Sequence, residues 1–362
     1  MNEYLSKLDR VHPYPAKYPL NFAIDAIKQH SSEGNVVYDP FLGSGTSVLA
    51  ASLLNRIGYG TDINPVAILI SKFKLLQLSS IEILQLRDFI NSFVLNYQDK
   101  LLKGIKLYNY PSIEHWFSPN AILVLSLIRS EIQTLRNERL ELFANTIFSS
   151  IVNTLSNQES DTRYAAVKKN IEVEKSVELF ARKFLAAIDL ITEVGKLERL
   201  SCMDNVYLLD SKNCFDILPR KKVDLILTSP PYPNTYDYYL YHKHRMFWLG
   251  MDYKPVMRLE IGSRREFSSL KAPKEKFNSD MLKILTSATQ LLAENGKMIL
   301  VMGDGRIQGE IYEAKSNMQL ICATLGLKLI DYSFTLLDQT SRSFMKSGRT
   351  KGKKEHVLVF SR

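Results

Sequence analysis

Cysteine is scarce in this sequence. Three stand in 362 residues, at Cys202, Cys214 and Cys322, odd in number and far apart. That excludes a disulfide framework and leaves no zinc-type spacing, so no metal is expected and a reducing compartment fits. No apolar run reaches the roughly 20 residues that a membrane-spanning helix needs. The opening Met1-Asn2-Glu3-Tyr4 lacks the basic-then-apolar pattern of a secretion signal. A cytoplasmic protein without a membrane partner is the expectation. A phosphate clamp is missing too, because no Gly-Lys-Ser or Gly-Lys-Thr follows the turn Gly43-Ser44-Gly45. What is present is ordinary globular material, 45% hydrophobic and 23% charged, with a net charge of +9. The basic balance suits a polyanion, nucleic acid first, and equally a merely basic enzyme.

Along the chain, an apolar strand over 35–39 runs into the glycine turn, and a helical stretch follows over 47–54. A second strand over 56–61 ends at Asp62. Strand, glycine turn, helix, strand, acid is the opening of a doubly wound α/β sheet. From about Ser79 to Leu200 glycine nearly vanishes, and Leu, Ile, Lys and Glu recur at helical spacing. Strand signals return over 205–209, 223–228 and 296–302, and two late ones over 327–330 and 355–360 can close the sheet as an antiparallel edge. The division expected is a catalytic domain made of 1–78 and 201–362, with a mostly helical insertion over 79–200.

Asp39 and Asp62 each end a strand, where ligands of open α/β sheets bind. Between them the glycines at 43 and 45 let a ligand approach the backbone closely. Two acids without a phosphate clamp suit a cofactor with a ribose and a cationic sulfonium-ammonium end, S-adenosyl-L-methionine, better than NAD or ATP. A plain tight turn is the competing reading.

Downstream, the strand over 223–228 delivers Ser229-Pro230-Pro231-Tyr232. A base amino group is a weak nucleophile because its lone pair is delocalised into the ring. Accepting hydrogen bonds from both amino hydrogens encourages tetrahedral geometry at that nitrogen. The Ser229 hydroxyl and the Pro230 carbonyl can accept them, the latter held by proline's restricted backbone. Pro231 stiffens the turn, and Tyr232 offers a face for an unstacked base. Methyl transfer would then rest on positioning and electrostatics.

These residues carry a resemblance. Asp39-Pro40-Phe41-Leu42-Gly43-Ser44-Gly45-Thr46 resembles the cofactor motif of the DNA amino-methyltransferases, Asp-Pro-Phe-x-Gly-Ser-Gly-Thr. Ser229-Pro230-Pro231-Tyr232 resembles their catalytic tetrad in the form associated with cytosine-N4 members. The resemblance implies a seven-stranded Rossmann-like methyltransferase sheet. It implies cofactor contacts at Asp39, Pro40, Phe41, Gly43, Ser44, Gly45, Thr46, Asp62, Ile63 and Asp210. The segment His12 to Pro19 resembles one that helps enclose the methionine end, which adds Tyr14 and Lys17. The implied reaction is methylation of the N4 amino group of a flipped cytosine in duplex DNA. Adenine-N6 DNA methylation, RNA amino-methylation and a catalytically silent binding module stay open. Ring-carbon methylation does not, since it needs a thiolate in a Pro-Cys loop and no cysteine here follows a proline.

An insertion between the cofactor and catalytic halves resembles the alpha order of that family, in which it reads the DNA. Candidate DNA contacts are Arg163 and Lys168 in the insertion, Arg264 and Arg265 after the tetrad, and Lys346 and Arg349 in the basic stretch 342–354. Each such run can also be a solvated face. A restriction-modification setting, with a cognate endonuclease as a further partner, is compatible with the resemblance. The clustered tyrosines over 236–241 suit either DNA stacking or core packing. Gly303-Asp304-Gly305 reads as a structural turn.

Overall fold

The structure, a computed structural model, describes residues 3–161, 163–216, 222–336 and 354–362. The chain divides into two compact units. One comprises Met1–Pro13, Lys72–Glu198 and Leu240–Lys254; the other comprises Tyr14–Ser71, Arg199–Tyr239 and Pro255–Arg362.

The second unit is built on a seven-stranded sheet. Its strands are β1 (Val36–Asp39), β2 (Ile57–Asp62), β3 (Val206–Leu208), β4 (Val223–Thr228), β5 (Leu292–Gly303), β6 (Lys328–Leu336) and β7 (Lys354–Ser361). Their spatial order is β6-β7-β5-β4-β1-β2-β3. The five strands from β3 to β5 run parallel. β7 lies antiparallel between β5 and β6, so the two late strands do form an antiparallel edge. This is the α/β, Rossmann-like order expected from the motifs.

Burial explains the central strands. Val37 and Tyr38 of β1 and Leu225, Ile226 and Leu227 of β4 are all buried. Continuous apolar runs of this kind belong in a parallel sheet covered on both faces. The helices Leu20–His30, Thr46–Leu53 and Lys274–Leu291 supply the cover. The last of these buries Phe277, Met281, Ile284, Leu285 and Ala288, at helical spacing, in the same core as Met298 and Leu300. A short ribbon, Gly305–Ile307 against Glu310–Tyr312, follows β5 where the sequence suggested only a turn.

The first unit is mainly helical. Its long helices Ser80–Leu102, Pro119–Ile132, Glu138–Leu155 and Val173–Gly195 follow the Leu/Ile periodicity. Their starts are chemically marked. Ser79 and Glu82 form a capping box, while Ser118 and Asn137 cap the next two helices. Phe93, Phe143, Phe180 and Phe184 interlock in the core with ring centroids 5.0 to 5.7 Å apart. The buried ammonium of Lys74 is matched by Asp9 at 2.8 Å. A two-stranded ribbon, Gln158–Ser160 with Arg163–Ala166, interrupts the helices; three- and four-residue strands carry too little periodicity to be read locally. No helix among the described residues is long and apolar enough to cross a membrane.

Candidate active site

A cleft enclosing about 920 Å³, open mouth included, lies wholly within the sheet unit. It sits where the carboxyl ends of β1, β2 and β4 converge, the position at which open α/β sheets bind ligands.

β1 ends at Asp39, which is buried and fully engaged. Its Oδ1 accepts from the Phe41 amide at 3.0 Å and from the Thr228 hydroxyl at 2.5 Å. Its Oδ2 accepts from the Ser47 hydroxyl. Burial pushes its pKa up to about 6, against the pull of these donors.

The turn that follows depends on glycine at two places. Gly43 has φ +52° and Gly45 φ +78°, backbone that an L side chain seldom adopts. A Cβ on Gly43 would lie 3.1 Å from the Tyr14 ring, and one on Gly45 only 2.6 Å from Ser71 Oγ. The turn is pinned by the Leu42 amide donating to Thr61 O at 3.0 Å and by Ser71 Oγ donating to Gly43 O at 3.0 Å.

Asp62, at the end of β2, accepts from the Gly43 amide through Oδ2 and from the Asn64 amide through Oδ1, both at 2.8 Å. A carboxylate has about four lone-pair sites, so acceptor capacity is left for a hydroxyl in the cleft. Burial raises Asp62 to about 6 as well.

Thr228 ends β4, and the tetrad follows at once. Ser229 and Pro231 line the cleft. Pro230 is buried and does not line it; Tyr232 turns its ring onto Gly303 instead. Of the residues singled out for the cofactor, Tyr14, Lys17, Asp39, Pro40, Phe41, Gly43, Ser44, Thr46, Asp62, Ile63 and Asp210 all line the cleft. Gly45 does not; it serves the turn beneath.

The cleft also has walls that no motif announced. Glu260 is the foremost. Its carboxylate accepts from the backbone amides of Tyr238 at 2.6 Å and Tyr239 at 3.1 Å. Burial raises its pKa to about 8. Val256, Leu259 and Ile261 bring apolar surface beside it, and Tyr18 and Tyr238 add rings. Nothing local marks these positions, since the chain carries 256–261 to the cleft from far downstream of the glycine turn.

The four basic candidates among the described residues fall outside the cleft. Arg264 and Arg265 begin a short turn whose backbone amides bond to Tyr236 O and Asp237 Oδ1, on the loop after the tetrad. Arg163 and Lys168 are exposed in the other unit, where Arg163 pairs with Glu159 at 2.9 Å. Lys169, next to Lys168, points inward and donates to the Gln158 carbonyl at 2.7 Å. Lys346 and Arg349 lie outside the described residues.

The donor set fits a cationic, phosphate-free ligand. Asp62, Glu260 and Asp210 set acceptors around the cleft, Lys17 is the only lysine or arginine of its lining among the described residues, and apolar surface lies beside Glu260. Sheet order, acid-lined cleft and a tetrad at the neighbouring strand end give a Rossmann-like fold whose site resembles that of methyltransferases. Residues 2–73 match the family model described as DNA methylase. The chain is 28% identical to the type II methyltransferase M.MvaI of Kocuria varians, covering 64% of this chain and 56% of that protein. It is 23% identical to the type II methyltransferase M.MjaII of Methanocaldococcus jannaschii, covering 86% and 74%. Against the solved rRNA methyltransferase aviRa from Streptomyces viridochromogenes the identity is 12%, over 99% of this chain and 91% of that one, with a TM-score of 0.37. The likeness to DNA amino-methyltransferases read from the motifs therefore holds, and S-adenosyl-L-methionine is the methyl donor it implies.

Proposed function

We propose that this chain transfers a methyl group from S-adenosyl-L-methionine to the exocyclic N4 amino group of a flipped cytosine, within a specific duplex DNA sequence. One observation carries the reading: the glycine turn with its acids and Ser229 line a single cleft at adjacent strand ends.

The cofactor supplies an electrophilic methyl group. This chain's residues hold it and the base. Asp62 takes the ribose hydroxyls with its remaining acceptor capacity, and the bare backbone at Gly43 lets the ligand lie close. Tyr14 and Lys17 line the methionine end. Ser229 and the Pro230 carbonyl accept the two amino hydrogens and turn the nitrogen lone pair toward the methyl. Tyr232 stacks on the base. Excluding water from an apolar-walled cleft strengthens each of these contacts.

The helical insertion over 79–200 is proposed to read the DNA sequence, with Arg163 and Lys168 on phosphates. Arg264 and Arg265, whose backbone amides are tied to the loop after the tetrad, are proposed to hold the DNA beside the flipped base. The net charge of +9 favours this partner. A restriction-modification role agrees with the type II naming of the relatives.

The test is incubation of the purified chain with labelled donor and unmodified duplex DNA, followed by nucleoside mass spectrometry. N4-methylcytosine is the expected product. N6-methyladenine would correct the base. Label in transfer or ribosomal RNA alone would overturn the DNA reading.

A further inference from the structure

Gly303, which ends β5, and Glu355, near the start of β7, oppose each other as cross-strand partners. Tyr232 spans this pair. Its ring covers Gly303 so closely that a Cβ there would come within 2.7 Å of Cε2. Its hydroxyl donates to Glu355 Oε1 at 2.5 Å. The ring is thus seated on the space that a missing side chain leaves, and tethered at its tip by a carboxylate. Pro233, the next residue, is seated the same way: a Cβ on Gly305 would lie 2.6 Å from it.

Stacking on a base needs only an aromatic face, and phenylalanine would serve. The hydroxyl and its partner are additional. Burial, then the Glu355 charge, hold the Tyr232 phenol well above its usual pKa, so it remains a donor.

We propose that Glu355 is a positioning residue for methyl transfer: through the Tyr232 hydroxyl it fixes the stacking ring over Gly303. The inference rests on the proposed methylation of a base amine.

Glu355→Gln and Tyr232→Phe keep size and should fold. Both variants and their combination are compared with wild type for kcat, KM for duplex DNA and cofactor Kd. In each single variant kcat should fall about tenfold or more, with KM and cofactor Kd nearly unchanged. The double variant should lose little beyond either single one, since both cut the same link. A duplex with 2-aminopurine at the target base adds a signature. Stacking on the fixed ring should quench it, and Glu355→Gln should relieve the quenching without weakening DNA binding. An active wild type whose kcat survives Glu355→Gln, or losses that multiply in the double variant, overturns the positioning role alone. A wild type that methylates no nucleic acid overturns the functional reading and this one with it.

Discussion

Thr228 donates a hydrogen bond to Asp39 at 2.5 Å, joining the last residue of β4 to the last residue of β1. The residues are far apart in sequence, yet the bond sets the exit of β4 against the exit of β1. Both belong to parallel neighbours in which Tyr38 pairs with Ile226, so the loops beyond them open on the same edge.

Breaking this tie should cost both stability and turnover. Thr228→Val removes one donor from a buried carboxylate and leaves shape nearly unchanged. A loss of about 1–3 kcal/mol is expected, read from urea unfolding. An unchanged midpoint would show that Asp39 is adequately served by its remaining donors, Ser47, Tyr18 and the Phe41 amide.

Asp62 should govern cofactor affinity. Asp62→Asn keeps one carbonyl acceptor but loses the charge and half of the lone pairs. Cofactor Kd should rise about tenfold or more, measured by calorimetry on the free protein. Equal affinity in wild type and variant would remove Asp62 from the cofactor site.

Ser229→Ala should separate binding from chemistry. The cleft keeps its acids and its glycine turn, so cofactor Kd should stay within about twofold. Turnover should drop about a hundredfold or more, in the range of a lost transition-state hydrogen bond. Loss of cofactor binding in this variant would contradict the assigned role.

Gly45→Ala should unsettle the turn. The site has φ +78°, and a Cβ would meet Ser71 Cα at 3.0 Å as well as Oγ at 2.6 Å, so rotating the serine cannot relieve it. About 2 kcal/mol or more of stability should be lost, seen as a lower urea midpoint. A variant as stable as wild type would show that the turn can relax.

pH should act in opposite directions on the free and bound protein. Asp39 and Asp62 are raised to about 6 and Glu260 to about 8, in each case mainly by burial. Unfolded, such groups titrate near 4. Between about 4 and 8 the folded chain therefore binds more protons than the unfolded one. These three groups favour folding most at low pH and lose that contribution as pH rises through 6 and then 8. A cationic ligand reverses the balance by favouring the charged carboxylates. Cofactor affinity should rise with pH over that range, with protons released on binding. Calorimetry in buffers of different ionisation enthalpy counts them, and Glu260→Gln should reduce the number near pH 8. Affinity that does not vary with pH would mean the carboxylates are already ionised in the free protein.

The chemistry of the site was written in short contiguous stretches. Asp39 to Thr46 and Ser229 to Tyr232 stood out because a strand end and the turn that follows it fall within a few positions of each other. The helices of the insertion were legible for a similar reason, since a 3.6-residue apolar period repeats over many turns. The three- and four-residue strands of the insertion's ribbon were not, because so short a pairing is stabilised by its partner strand rather than by any local pattern.

Sequence alone therefore settled which backbone turns and which reactive groups this protein has, for these depend on nearest neighbours. It did not settle what surrounds them. Glu260 in the cleft wall, the Thr228 tie to Asp39, and Tyr232 seated on Gly303 beneath Glu355 all join residues from distant strands and loops. Only the tertiary arrangement decides such pairings, because side-chain contact across a sheet depends on which strands lie side by side and in what register.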